Sequence, residues 1–262
     1  MGTPLKHPPV YFTVAQARFN ALLNLSEYLP SIQDSLRRAG FPDYTAQKSV
    51  VLQIVQDESG QATPLPVAHE SYVFGNADRT HSFILSQDRL TLQSTNYGQF
   101  ELFSEKFLKG LAILHDVVTL DFTERVGLRY LDRVVPRAGD SMGRYLAPEV
   151  LGLSERLDGT PLHSYSETFI AFGAVKLRAR AVLQAGPLAF PPDLLLGNLV
   201  VQERFTTHDG AHAILDNDGF IEQRETYSQD TVAQHLSEIH GVIDKAFHVT
   251  AMPYAFDVWN SP

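Results

Sequence analysis

The sequence contains no cysteine, and this absence excludes every chemistry that needs a thiol. The chain cannot form a disulfide, a thiol nucleophile, an iron–sulfur cluster or a cysteine-ligated zinc site. Four catalytic signatures are missing as well: the glycine-rich dinucleotide fingerprint, the P-loop, the Gly-x-Ser-x-Gly elbow and the His-Glu-x-x-His helix. These absences argue against the common oxidoreductases, nucleotide hydrolases, α/β-hydrolases and zinc proteases. They favour a protein that is not an enzyme and has no cofactor.

Long apolar runs and excess positive charge are also lacking. The most apolar stretch, residues 188–201, is interrupted by Pro191 and Pro192 and is shorter than the roughly 20 residues of a membrane span. The first residues contain prolines and no apolar signal region, so we expect a cytoplasmic protein with no membrane contact. With 21 Lys and Arg against 30 Asp and Glu, the net charge of −9 disfavours nucleic acid except at a local basic patch.

The sequence does contain enough apolar material for a sizeable core, since 44% of its 262 residues are hydrophobic and 16 are Phe. The segment that begins at Phe83 is similar to the segment that begins at Ala213, and a helix-like stretch follows each of them. This similarity predicts two related halves, residues 1–120 and 121–262, although the same chain can also form one continuous domain.

Each half is expected to have the order β-α-β-β-β-α. For the first half we predict strands at 10–19 and 47–56, a helix at 25–39, a hairpin turning at Gln87-Asp88 and a helix at 98–116. For the second half we predict strands at 124–135, 166–172 and 175–183, a helix at 142–153, a hairpin turning at Asp218-Gly219 and a final helix capped by Ser228. An ordered insertion loop is expected at 186–197. The order predicts an α+β protein of tandem ferredoxin-like units, with antiparallel sheets and helices packed on one face.

The segment from Arg125 to Val134 reads R-V-G-L-R-Y-L-D-R-V. It resembles the signature of a sporadically distributed bacterial family of unknown function. An early proline before a strand, an aromatic-rich helix before the motif, and L-D-N-D-G-F at 215–220 extend the similarity over most of the chain. The resemblance implies no reaction, cofactor or catalytic residue. Asp132 stands where we would expect asparagine in many relatives, so no role is carried over to that position.

Basic residues alternate along two predicted strands. Because residues two apart on a strand share a face, these cations are expected to form one surface, here termed the basic strand face. It consists of Arg125, Arg129, Arg133, Lys176, Arg178 and Arg180. The face is a candidate site for a phosphate, a carboxylate or a partner protein, since guanidinium groups bind such anions through paired hydrogen bonds. The alternative is internal pairing with acidic residues such as Glu203, Glu222 and Glu225.

Histidines and aspartates are dense between residues 207 and 218, where they could ligate a metal ion. Their spacing matches no known metal motif, and Asp-Gly pairs are strong turn signals, so turns are favoured and no metal site is predicted. The ten histidines are scattered, and the sequence gives none of them the positioned partner that a catalytic histidine requires.

These features favour a non-enzymatic binding or assembly protein of a bacterial cytoplasmic system. It would act through protein contacts and the basic strand face, with a protein partner or a homo-oligomer as the expected assembly. The alternative is an RNA-binding or RNA-cleaving protein, because tandem ferredoxin-like units also occur in repeat-processing ribonucleases, which the predicted plan resembles only in outline.

Overall fold

A computed structural model describes residues 5–56, 62–194 and 196–261, with the backbone alone for residues 49–56, 62–69 and 155. Its strands are β1 (Val10–Phe19), β2 (Asp43–Gln56), β3 (Ala62–Gly75), β4 (His81–Ser86), β5 (Arg89–Ser94), β6 (Phe122–Val134), β7 (His163–Phe172), β8 (Val175–Gln184) and β9 (His212–Thr226). Its α-helices are α1 (Leu25–Arg38), α2 (Phe100–Val118), α3 (Pro148–Leu151), α4 (Gln229–Thr250) and α5 (Pro253–Asn260).

All nine strands belong to one antiparallel sheet, in the order β2-β3-β4-β5-β1-β6-β9-β8-β7. The first strand of each predicted half, β1 or β6, lies at the centre, and these two strands pair with each other. β2 and β7 form the two edges. The predicted α+β class is therefore confirmed, with both halves contributing to a single sheet.

The long helices pack on one face of the sheet. The apolar side of α2 buries Phe103, Phe107 and Leu111, and α4 buries Leu236 and Ile239, as their spacing of three and four residues predicts. These side chains join α1 and the helix-side residues of the central strands in the largest apolar cluster. No helix of the described residues is both long enough and apolar enough to cross a membrane.

The opposite face of the sheet is covered near its centre by the predicted insertion loop and the residues that follow it. Leu188, Phe190 and Leu199 pack there against Tyr11 and Phe12 of β1. The Tyr11 hydroxyl donates to the carbonyl oxygen of Ala189 at 3.0 Å. Both faces of the central strands are thus buried, and the face opposite the helices is left open toward the two edges of the sheet.

The predicted hairpin at Asp218-Gly219 is wrong, because β9 runs straight through it. Gly219 serves close packing: a Cβ at this position would lie 2.6 Å from Ile239 and 3.1 Å from Ile243 of α4. A glycine in a strand often marks such a close approach of another element. The similarity between the segments that begin at Phe83 and Ala213 therefore aligned a hairpin, β4–β5, with a single strand, β9.

Gly219→Ala is expected to lower the free energy of unfolding by about 1–3 kcal/mol, because the added methyl group overpacks the contact with α4. Gly241→Ala, on α4 itself, is the matched control, since its Cβ would meet no atom within 4 Å. Better helix propensity should leave that variant unchanged or more stable by up to about 1 kcal/mol. Urea denaturation of both variants measures the difference, and equal midpoints would contradict the packing role of Gly219.

Two other predictions differ from the structure. The single helix expected at 142–153 is replaced by α3 and two short 3-10 segments, Met142–Arg144 and Gly152–Glu155. β3 was not predicted, since its prolines at 64 and 66 disfavour a central strand. β3 pairs with β4 only from Tyr72 to Gly75, so both prolines lie where β2 is the sole neighbouring strand and an amide donor is dispensable.

Candidate functional site

The six cations of the basic strand face project from the side of the sheet opposite the helices. Their strands, β6 and β8, are separated only by β9, so the predicted residues are brought together. Their neighbours in sequence, such as Val126, Leu128 and Leu177, are buried on the helix side. The alternation of basic and apolar residues was therefore sufficient to place these side chains on one face.

Five of the six cations have a carboxylate within 4 Å. Arg125 lies 3.9 Å from Asp218, and Lys176 lies 2.9 Å from Glu222. Arg178 lies 3.9 Å from Glu167. Of the acidic partners named from the sequence, only Glu222 takes part, and the others are supplied by β7, β9 and the insertion loop. The aspartates of β9, for which the sequence predicts a turn, are strand residues that alternate in step with the cations.

The centre of this network is a buried cluster around Asp216. The Arg129 guanidinium donates to both carboxylate oxygens of Asp216, at 2.6 and 2.7 Å, and Arg180 donates to the same carboxylate at 2.9 Å. The side chains of Arg129 and Asp216 are only 8% and 3% exposed. Burial opposes the charge on Arg129, but Asp216 and Asp193 outweigh it and raise the pKa of the guanidinium. Paired, hydrogen-bonded burial of this kind is what makes such charges tolerable inside a protein.

The sixth cation, Arg133, holds the insertion loop in place. Its buried guanidinium donates to the carbonyl oxygens of Phe205 and His208, the latter at 3.0 Å, and approaches that of Gly186 at 3.4 Å. These contacts join the two ends of the segment that covers β1 and β6. Arg129 and Arg133 are thus engaged within the fold, while Lys176 and Arg178 are the partly exposed cations that a partner can reach.

A cavity of about 370 Å³ lies beside this network, between β8, β9 and the insertion loop. Its charged walls are Arg180, Asp193 and Asp216, one cation for two carboxylates. A phosphate placed there would meet both carboxylates, so the cavity has the wrong charge for an anion. Among the described residues, no group of three or more His, Asp or Glu side chains is arranged to hold a metal ion.

The most exposed structural feature of the second half is the edge strand β7. Each of its ten residues is at least partly exposed, and one margin of its backbone has no neighbouring strand among the described residues. On the face that carries the cations, Tyr165 and Phe169 are 54% and 55% exposed. On the helix face, Ile170 and Phe172 are also exposed. Apolar side chains therefore flank both sides of an unpaired strand.

An apolar groove of about 490 Å³ lies on the helix face beside β7. It is bordered by Ile170 and Phe172 of β7 and by Val249 of α4. In the first half, α1 packs over the corresponding part of the sheet through Ile32 and Leu36. The shorter helical segments at 142–155 contact β7 near Ser164, whose hydroxyl lies 3.4 Å from the carbonyl oxygen of Leu151, and they leave Ile170 and Phe172 exposed.

A scan of protein-family models and a search of curated proteins each give no match to this chain. The family resemblance of the segment from Arg125 to Val134 therefore stays an expectation.

The sequence predicts a strand at β7 but does not indicate its position at the edge of the sheet. The order of strands depends on pairings between distant segments, and the alternation of one strand does not encode them. One usable signal was present. β7 contains no Lys and no Pro, which are residues that proteins place on exposed edges to prevent further pairing.

Proposed function

We propose that the protein is a non-enzymatic binding or assembly protein that acts through protein contacts along β7 and the neighbouring cations of the basic strand face. The observation that carries this proposal is the unprotected edge of β7, exposed over ten residues and flanked by aromatic side chains. An exposed strand of this kind offers main-chain donors and acceptors to an added strand. Exposed Tyr and Phe beside it supply the apolar contacts that stabilise interfaces.

The partner that fits this edge best is a second copy of the chain. An antiparallel pair about a two-fold axis at Thr168 would place Glu167 opposite Phe169 and Ser166 opposite Ile170 of the other copy. No like charges would lie directly opposite each other, and the helices of both copies would stay on the same side of the joined sheet. Such a pair is closed, since each copy covers the edge of the other.

The exposed cations have a supporting role in this proposal. Lys176 and Arg178 lie on β8, directly behind the edge strand, and each shares its charge with a single carboxylate at the surface. A carboxylate of the partner can replace those exposed pairs at small cost, because such pairs contribute about 0–1 kcal/mol. The buried Arg129 and Arg133 are engaged within the fold and cannot exchange their partners in this way.

Phe169→Glu is expected to convert a dimer into a monomer, because the new carboxylate would lie directly opposite Glu167 of the other copy, and like charges in that position repel. Multi-angle light scattering on a sizing column measures the mass directly. Tyr44→Glu is the matched control, since Tyr44 is an aromatic residue on the other edge strand, β2, with a similar exposure of 45%. The control should keep the wild-type mass.

A wild-type protein that runs as a monomer at micromolar concentration would contradict the assembly through β7. Dissociation by Tyr44→Glu alone would place the contact at the other edge. The alternative, an RNA-binding or RNA-cleaving protein, has less support because the buried cations are engaged within the fold and the exposed ones are already paired. Tight, salt-sensitive RNA binding in a filter assay would favour that alternative.

We also propose that the two halves are tandem ferredoxin-like units. Without the hairpin of β2 and β3, the first half reads β1-α1-β4-β5-α2-β6, which is the β-α-β-β-α-β order of that fold. β6 would then close the first unit and open the second, which reads β6-α3-β7-β8-β9-α4 and departs from that order because β9 precedes α4. Gathering of the long helices on one face supports this relation.

A further inference from the structure

A small pocket lies on the helix side of the sheet, on the face opposite the basic strand face. It is an open depression bordered by β6, α4 and the segment that leads into β1, and its volume is about 130 Å³. The side chains that define its chemistry are Pro8, Tyr97, Tyr130, Asp132, His240 and Asp244. Tyr130 and Asp132 belong to the R-Y-L-D-R segment, so the two sides of one strand contribute to two separate sites.

Asp132 is the unusual group in this pocket. It is only 6% exposed, and its carboxylate has no hydrogen-bond partner among the described residues. A bulge in β1, between Val10 and Phe12, interrupts the pairing opposite this carboxylate, and bulges commonly redirect side chains at functional sites. Burial raises the pKa of Asp132 to about 7. Its oxygens are not among the fully buried side-chain atoms that lack a partner, so the carboxylate is open to the pocket, where a ligand can reach it.

The other polar groups of the pocket are already engaged with one another. The hydroxyl groups of Tyr97 and Tyr130 are 2.9 Å apart, and the Tyr130 hydroxyl lies 3.3 Å from His240 Nδ1. The His240 ring stacks on Phe100 with centroids 4.1 Å apart. This chain fixes the walls of the pocket in position. It leaves Asp132 as the group available to a ligand.

The charges around the pocket all have one sign. Asp132 lies inside and Asp244 is exposed at the rim, and no Lys or Arg of the described residues forms an ion pair with either of them. The rings of Tyr97 and Tyr130 add electron-rich faces, which attract ammonium and guanidinium groups. A carboxylate beside aromatic rings in an apolar pocket is therefore complementary to an organic cation.

We propose that this pocket binds a small organic cation, a primary ammonium or a guanidinium group on a short apolar stem, with Asp132 as its counter-ion. The volume admits one such group and is below the range of about 300–1,000 Å³ of sites for larger ligands. The stem packs against Pro8 and the tyrosine rings, while the cation reaches the carboxylate. The cation then supplies the hydrogen bonds that Asp132 lacks in the free protein.

Binding is coupled to the proton of Asp132. The groups that face the carboxylate are Tyr97 before α2, Tyr130 on β6, and His240 and Asp244 on α4. Of these, His240 has a pKa lowered mainly by burial, so it adds no competing positive charge near neutral pH. The cation binds the ionised carboxylate, and its affinity rises with pH through about 7 as Asp132 loses its proton.

Calorimetric titration with n-butylamine hydrochloride and with n-butylguanidine tests the proposal on the full chain. Both cations are expected to bind saturably, while n-butanol and butyrate, which have the same stem, do not. A short peptide with one lysine distinguishes a free metabolite from a protein side chain, according to which of the two binds more tightly. Between about pH 6 and pH 8 the affinity for the amine should rise about tenfold, since the charged fraction of Asp132 rises.

Asp132→Asn keeps the shape of the side chain and should weaken cation binding about tenfold or more, because the neutral amide cannot pair with the cation. Asp230→Asn removes an exposed carboxylate from α4, the helix that also lines the pocket, and should leave binding unchanged. Equal binding of the alcohol and the amine, retained binding in Asp132→Asn, or no saturable binding across this pH range would each overturn the proposal. Because β7 and the pocket lie on different parts of the molecule, none of these results depends on dimer formation.

Discussion

Asp216→Ala is expected to lower the free energy of unfolding by about 3–5 kcal/mol, the cost of removing one partner of a buried ion pair. The reason is the position of the carboxylate between two guanidinium groups, both of which donate to it. Without it, Arg129 would stay buried with only the peripheral Asp193 as a partner. Asp216→Asn should cost less, because one acceptor oxygen remains.

Urea denaturation followed by far-UV circular dichroism measures this loss. Glu222→Gln is the matched control, because its pair with Lys176 lies on the same face but is exposed on both sides. We expect that control to change the free energy by less than about 1 kcal/mol. Similar effects for the two variants would mean that the Asp216 cluster is no more important than an ordinary surface pair.

Asp132→Asn is expected to have the opposite effect and to stabilise the protein at neutral pH. Burial raises the pKa of Asp132 from 3.8 to about 7, so the native carboxyl keeps its proton over a range in which the unfolded chain has lost it. The native state then binds more protons, and stability falls as pH rises through that range. The loss amounts to at most about 1.4 kcal/mol for each pH unit and is complete above about 7. Asparagine does not titrate, so the variant does not lose stability in this way as the pH rises.

The variant and the wild type should therefore be equally stable near pH 4. The stability difference in favour of the variant should increase up to about pH 7 and stay constant above it. Chemical denaturation at several pH values measures the difference. Subtracting the two curves removes the contribution of every group that titrates equally in both proteins. A flat difference for Asp132→Asn would show that this carboxylate is not desolvated in the native protein.

These two aspartates illustrate how one strand pair serves two sites. Asp216 faces the side of the sheet where arginines approach, and its charge is satisfied. Asp132 lies on β6 and faces the helices, where the described residues offer it no cation. The first holds the fold together, whereas the second weakens it. A residue that costs stability is commonly kept for function.

The parts of the fold that the sequence determined depend on local periodicity. The alternation in β6 and β8 placed six cations on one face, and spacing of three and four residues identified the buried sides of α2 and α4. The capping prediction was also confirmed, since the Ser228 side chain accepts a hydrogen bond from the Thr231 amide. Each of these features depends on residues close together along the chain, and such signals do not require knowledge of the strand order.

Tertiary structure alone decided which cations are exposed, which strand forms an edge, and where Asp132 lies. The partners of Arg129 come from β9 and from the insertion loop, far away along the chain, and Gly219 was needed for the approach of α4 and not for a turn. Pairing between distant segments is set by the sum of many weak contacts, so no single stretch of sequence encodes it. The local order of residues therefore determined which side chains share a face of each element. The assembled sheet determined which other residues each face contacts.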